Sequence, residues 1–469
     1  MKVYKHMCIV MVLLVLSSQA VWAAPAKSML QKSWYSQTAE KVRIVFAVNE
    51  LPEYTTKLAE NPNQILIDFT NTTNSIKLPT VLLNDDAITN FEITEVQPDK
   101  QRVAINLKTP AVTYKVFTLI NPNRVVVDII KTIDRKYEEQ IGTGVKYTSI
   151  FRSTKAGPIS AYVVDLTPGN NYTIKPVLSN DSISDLEKVQ SMAERNKAIA
   201  ATNASYFAPN GEIIGLLKVN GQIVSTPNLA RTALGISTEG QMIFEPIDYK
   251  GSIMLPDGRT VAITGVNHER GENDLILYNN YYDSMTNTNE YGTDYIVSKD
   301  VITAIAHGNT VIPPGAVVLS AHGSNEKALA GLKVGDVVKI TQSLGPVWDK
   351  AIFAIGAGPR LIKNNSVFLT SKVEEFPSDI TVGRAPRTAV GVTKDGHILL
   401  TVVDGRQQNS IGMTLLELAL FMQEFGAVDA MNLDGGGSSE MVVKGKIMNK
   451  PSDGHERPVG DALIIAPKD

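Results

Sequence analysis

The densest chemistry in the sequence is one octapeptide, Asn432-Leu433-Asp434-Gly435-Gly436-Gly437-Ser438-Ser439, at the end of an apolar, strand-like run. Three successive glycines let the backbone turn with few steric limits, and their N–H groups can converge into a concave array that binds anions. Asn432 and Asp434 would stand at the strand end, with Ser438 just beyond the loop. A second carboxylate, Asp404 in Asp404-Gly405-Arg406, follows the strand-like run Ile398–Val403. Two such carboxylates can divide acid and base work across a glycosidic bond. The residue types leave open which is acid and which is base.

Arginines supply the opposite charge. A guanidinium is a planar fork of donors that matches phosphate oxygens two at a time. Arg387 opens the run Arg387-Thr388-Ala389-Val390-Gly391-Val392, and Arg231 opens the similar Arg231-Thr232-Ala233-Leu234-Gly235-Ile236. Arg360 leaves the turn Gly356-Ala357-Gly358-Pro359-Arg360. Asn203, in Asn203-Ala204-Ser205-Tyr206-Phe207, offers an amide to sugar hydroxyls beside aromatic rings, and His455 lies amid the C-terminal motif residues. The expected catalytic set is therefore Asp434, Asp404 and Arg387. The expected substrate contacts are Asn203, Arg231, Gly358, Arg360, Arg406, Asn432, Gly435, Gly436, Gly437, Ser438 and His455. Asp404, Asp434 and Asn432 present oxygens that would also suit Mg²⁺ or Ca²⁺. A metal-dependent phosphodiesterase thus stands as an alternative, and so does a non-catalytic wall-glycan-binding module that keeps the arginines and the glycine loop.

These residues need elements to hold them. Ser184-Asp185-Leu186-Glu187 and Thr414-Leu415-Leu416-Glu417 read as capping boxes. Val189, Met192 and Ala193 follow the first at helical spacing; Leu418, Ala419, Met422 and Phe425 follow the second, with Gly426 as a stop. Each helix leads into a strand-like run ending in an asparagine, Asn203 or Asn432, and then into a hairpin turning at Asn220-Gly221 or Lys444-Gly445. With the echo between the two arginine runs, this predicts two similar halves whose loops meet at one site. Residues 279–295 are expected to form a long surface loop.

Nearer the N-terminus, Asn61-Pro62-Asn63-Gln64-Ile65-Leu66-Ile67-Asp68-Phe69 returns as Asn121-Pro122-Asn123-Arg124-Val125-Val126-Val127-Asp128-Ile129. Turn residues followed by apolar runs predict strands, hence a small β domain built from two similar parts. The segment resembles the AMIN domain, a β module of exported envelope proteins, which implies contact with cell-wall glycan. The chain begins with Lys2, Lys5 and the apolar run Ile9–Leu16, then Val21-Trp22-Ala23, the pattern of an export signal. Cys8, the one cysteine, lies inside that signal, so the mature protein is expected to have no thiol and no disulfide. Charged residues make up 20% and the net charge is −3, which leaves no basic field for nonspecific nucleic-acid binding. No other segment is long and apolar enough to cross a membrane.

Taken together, the motifs at Asn203, Gly356–Leu361, Arg387–Gly391, Asp404–Arg406, Asn432–Ser438 and Arg457-Pro458 resemble the phosphodiester glycosidase family. The likeness runs over about 150–466 and is densest over 384–466. It implies hydrolysis of a sugar-1-phosphodiester, releasing the sugar and a phosphomonoester, with no obligatory cofactor. Export would make envelope or exopolysaccharide glycans the substrate. The expected fold class is α+β: a signal over 1–26, a small AMIN-like β-sandwich over 38–131, a linker over 132–149, and a mixed α/β catalytic domain with two similar halves over 150–469.

Overall fold

The computed structural model describes residues 26–38, 41–108, 113–131, 134–154, 156–227 and 229–468. The apolar run of the expected signal and Cys8 lie outside these residues. The chain divides into two compact units between residues 132 and 133.

In the N-terminal unit two five-stranded sheets share one hydrophobic core. The repeat copies exchange strands. Lys41–Val48 of the first pairs with Arg124–Ile130 of the second, and Asn63–Phe69 of the first pairs with Lys100–Leu107 of the second. Period-two patterning drives this: Val42, Ile44 and Phe46 point inward, and so do Ile65, Ile67 and Phe69. Phe46 meets Phe69 and Phe91 edge-on, at centroid distances of 6.3 and 5.7 Å. Two matching forks sit between the exchanged strands. Arg43 donates to both oxygens of Asp128 at 2.6 and 2.7 Å, and Arg102 to both of Asp68 at 2.7 and 2.9 Å.

The C-terminal unit is dominated by strands. Among the described residues the chain has four α-helices, the longest ten residues, so the expected mixed α/β domain is corrected to a mostly β one. Its largest sheet has eight strands, in the order Asp134–Gly142, Val145–Ser153, Pro158–Leu166, Ile398–Val403, Arg387–Thr393, Ala427–Asn432, Arg360–Lys363, Ser366–Val367. The stretch read as a linker thus carries the first two of these strands. Its charges, among them Lys136 and Glu138, belong on an edge strand, where they discourage further pairing.

Two five-stranded sheets pack with the large one. The first runs Tyr172–Leu178, Asp461–Pro467, Ala200–Asn203, Met441–Val443, Lys446–Ile447. The second runs Gln222–Ser225, Leu217–Val219, Ala351–Gly356, Arg231–Ser237, Met242–Ile247. Val390, Leu400 and Met431 from the large sheet, Ile174 and Leu463 from the first small one, and Leu234 and Ile355 from the second close a common core. Helix Leu415–Glu424 covers the large sheet's other face with Leu418, Ala419 and Met422. Its capping box forms: Thr414 Oγ1 accepts from the Glu417 amide at 3.2 Å and Glu417 accepts from the Thr414 amide at 3.0 Å. The Ser184 box does not form. Helix Val189–Arg195 starts after Lys188, and Glu187 instead takes bonds from Ser191 and Arg195.

Two hairpins separate from one another the way the sheets do. The turn at Asn220-Gly221 joins Leu217–Val219 to Gln222–Ser225, and its place in the second small sheet is taken in the large sheet by Asn364-Asn365, not by Lys444-Gly445. No helix among the described residues is long and apolar enough to cross a membrane.

Candidate functional site

A cavity of about 250 Å³ opens where strand Arg387–Thr393 begins and its antiparallel neighbour Ala427–Asn432 ends. It is lined by Arg387, Arg406, Asn432, Asp434 and the loop Gly435–Gly437, as expected, and also by Tyr206, Asp379, Ile380, Ala385 and Arg457. Three guanidinium groups therefore face two carboxylates.

Arg387 is the first residue of its strand and is buried. Its donors go to three carbonyls, those of Met413 at 3.0 Å, Ile380 at 3.0 Å and Gly383 at 3.3 Å. No carboxylate of the described residues pairs with it, and burial pulls its pKa below the usual arginine range. A buried cation held by dipoles alone is costly unless an anion joins it. Arg406 is exposed at the rim, in a left-handed conformation with φ of +59°, and makes no hydrogen bond or ion pair with the described residues. Arg457 donates to Asp453 at 2.8 and 2.6 Å.

The glycines are needed for different reasons. A Cβ on Gly437 would stand 2.1 Å from the Arg457 guanidinium, and one on Gly435 would stand 2.9 Å from the Pro386 carbonyl. Gly436 adopts φ of +61°. Two of the three amides are already engaged: Gly435 donates to Asp434 Oδ1 at 2.8 Å and Gly436 to the Pro386 carbonyl at 3.0 Å. The array expected to cradle an anion is thus mostly used to shape the loop. Asp434 keeps one side to the cavity. Burial pushes its carboxyl up to about 6, while bonds from the Ser438 side chain and the Gly435 amide pull the other way.

Asn432 donates to Tyr206 Oη at 3.1 Å and to the Gly358 carbonyl at 3.3 Å, while its buried Oδ1 has no partner. Tyr206 in turn donates to the Gly358 carbonyl at 3.0 Å. Asp461 anchors the Tyr206 loop: it accepts from the amide and the hydroxyl of Ser205, each at 2.7 Å.

Several expected contacts lie elsewhere. Asp404 is buried outside the cavity lining. It accepts from Tyr162 at 3.1 Å, Asn449 at 3.2 Å and the Lys450 amide at 3.0 Å. Its carboxylate ties strands together and does not converge with Asp434. Arg360 sits within the large sheet, paired with Asp429 and Glu245. Arg231 lines a different cavity. Asn203 is buried behind the loop, and Gly358 and Ser438 support the lining residues from outside it. His455 is exposed and away from the lining. Of the residues missed by sequence reasoning, Asp379 and Ile380 come from the single-turn helix Ser378–Thr381, too short to show a helical period, and Ala385 from the segment after it; Arg457 stood within a family motif and Tyr206 in the motif that begins at Asn203. No group of three or more His, Cys, Asp or Glu among the described residues could hold a metal ion.

The comparisons with known proteins bear on the same region. The phosphodiester glycosidase family matches residues 276–466. An uncharacterized SPbeta prophage-derived protein of Bacillus subtilis is 25% identical over 71% of this chain and 38% of its own length. Mouse N-acetylglucosamine-1-phosphodiester alpha-N-acetylglucosaminidase is 34% identical over 103 residues, 20% of each chain. This chain therefore spans well under half the length of these relatives. A hypothetical protein from Synechocystis shares the fold, with a TM-score of 0.66 and 19% identity over 94% of this chain and 81% of that one. Residues 276–466 of this chain, with the motifs within them, thus match the phosphodiester glycosidase family.

Proposed function

We propose that the chain hydrolyses the bond between a sugar's anomeric carbon and the phosphate of a phosphodiester. The single observation that carries this reading is Arg387: a buried, carboxylate-free guanidinium facing a cavity that also holds Asp434, with its carboxyl pushed up to about 6. Arg387 and Arg406 bind the phosphoryl oxygens, and Arg457 flanks them. Asp434 takes a proton from water as the water oxygen bonds to the anomeric carbon. The C–O bond to phosphate breaks, its electron pair stays on phosphate, and the arginines stabilise the monoester that leaves. A phosphomonoester is a fair leaving group, so the step needs no strong acid, which fits the absence of Asp404 from the lining. Asn432 lines the cavity and holds the Tyr206 hydroxyl at its wall.

Export and an envelope or exopolysaccharide substrate belong to the same reading, supported by Lys2, Lys5 and the run Ile9–Leu16. The AMIN-like repeat unit would keep the chain on wall glycan. The test is incubation of the purified chain with a sugar-1-phosphodiester, following free sugar and phosphomonoester. Equal release of both supports the reading, and neither product across several sugars overturns it.

A further inference from the structure

Arg231 was expected to clamp the same phosphodiester as Arg387. It opens instead on a neighbouring cavity of about 200 Å³, and the two arginines occupy matching places. The second small sheet and the last five strands of the large one have the same order, every neighbouring pair antiparallel. Ala389, two residues after Arg387, stands opposite Asn432; Ala233, two residues after Arg231, stands opposite Gly356. The next residue of each arginine strand spends its hydroxyl alike, Thr388 on Asn203 and Thr232 on Glu374. The hairpins behind them turn alike: Gly396 donates to Thr393 at 3.0 Å and Gly240 to Ser237 at 3.0 Å.

The guanidinium chemistry matches as well. Arg231 donates to the main-chain carbonyls of Glu374 at 3.0 Å and Glu375 at 3.3 Å, lies 4.1 Å over the Phe376 ring and pairs with no carboxylate of the described residues. What differs is the chemistry beside it. Where the first site has Asn432 and Asp434, the register puts Gly356 and Gly358, and among the described residues no acidic one lines the Arg231 cavity. Such a pocket can hold an anion and cannot cut it. Apolar lining by Ile214, Leu216 and Ile247 leaves the charge poorly screened. One wall joins the two pockets. Tyr206 lines the first, its ring lies 5.9 Å from Phe376, and its carbonyl accepts from the amide of Ile214, which lines the second, at 2.8 Å.

We propose that the Arg231 cavity is a second phosphate subsite, taking the next phosphodiester along a polymeric substrate while Arg387 and Asp434 work on the first. This rests on the hydrolysis proposed above and names its substrate class: a repeating glycosyl phosphate, not an isolated one. Arg231→Gln is expected to lower the ratio of kcat/KM for a fragment with two or more phosphodiester units to that for a monomeric sugar-1-phosphate methyl ester, by about tenfold. Because Arg231 also props Phe376, a charge pair at the half-exposed rim makes an independent test: Ile214→Glu should lower the ratio and Ile214→Lys should raise it. A ratio unmoved by all three, or moved in one direction by both Ile214 variants, overturns the subsite. If neither substrate is cleaved, the hydrolysis reading fails by itself. The subsite is then read by calorimetric titration of the same fragment, which Arg231→Gln must weaken more than it weakens binding of inorganic phosphate; equal weakening overturns it.

Discussion

Asn203 donates its side-chain amide to the main-chain carbonyl of Asp434 at 2.7 Å, across 231 residues of sequence. Its oxygen accepts from Thr388 at 2.8 Å and from the Glu440 amide at 3.2 Å. One buried side chain thus ties the sheet holding Ala200–Asn203 to the arginine strand and fixes the loop that carries the Asp434 carboxyl. Asn203→Ala would leave three buried polar groups without partners, a loss of about 2–4 kcal/mol. The urea midpoint should fall, and kcat should fall more than KM changes, because Asp434 is misplaced while the arginines remain. Asn203→Asp should rescue neither, since a carboxylate cannot donate to the Asp434 carbonyl. Full activity in Asn203→Ala would show that the loop holds its own shape.

The surroundings of Arg387 separate it from a lysine. Three of its donors are spread over the carbonyls of Met413, Ile380 and Gly383. A lysine at this position keeps the charge but cannot serve all three directions and the substrate together. Arg387→Lys is therefore expected to weaken competitive inhibition by inorganic phosphate by about tenfold or more, as the loss of a charged hydrogen bond would. Unchanged phosphate inhibition in Arg387→Lys would place the anion elsewhere in the molecule.

The parts of this site legible in the sequence are those set by local rules. Asn432, Asp434 and the three glycines follow one strand, and the strand end places them. Thr414 and Glu417 form their capping box because both partners lie within one turn. The Ser184 box fails because Glu187 has better partners in Ser191 and Arg195, and Ser184 turns to the Tyr282 carbonyl. Asp404 ends its strand as expected, but Tyr162, 242 residues earlier, closes over it from the adjacent strand. Arg360 is claimed by Asp429 across a strand pair for the same reason. Asp379 had no signal: the helix Ser378–Thr381 that brings it to the cavity is a single turn, too short for an apolar period to show in the sequence.

Glu440 offers a test away from the cavity. It is buried, one carboxyl oxygen has no partner, and burial together with the neighbouring Glu456 pushes its pKa up to about 9. In the unfolded chain the same group titrates near about 4.3. The folded state then holds a proton that the unfolded state has released, so stability present at low pH is lost as pH rises from about 4.3 through about 9. Glu440→Gln keeps donors toward Glu456 and removes this dependence. Urea midpoints measured from pH 5 to 9 should diverge steadily in favour of the variant, and parallel curves would mean that Glu440 is ionised in the fold.

Asp434 connects stability with activity. Its carboxyl is raised from 3.8 to about 6, with burial as the main cause. As a base it works only when ionised, so kcat/KM should climb with pH through about 6 and level off above. The same shift costs stability: the folded state favours the protonated form, so the stability present below about pH 4 is lost as pH rises through about 6. Asp434→Asn removes the ionisation but keeps an oxygen for the Gly435 amide. The variant should lose turnover. At pH 8 it should be more stable than the parent by about 1–2 kcal/mol, less than the full shift implies because the carboxyl faces the open cavity. The gap should close near pH 4. Thermal melts across that range, beside rates on a sugar-1-phosphodiester, decide it: a variant no more stable at pH 8 would mean that the carboxyl is already ionised without strain, and a variant that keeps full turnover would mean that the base lies elsewhere.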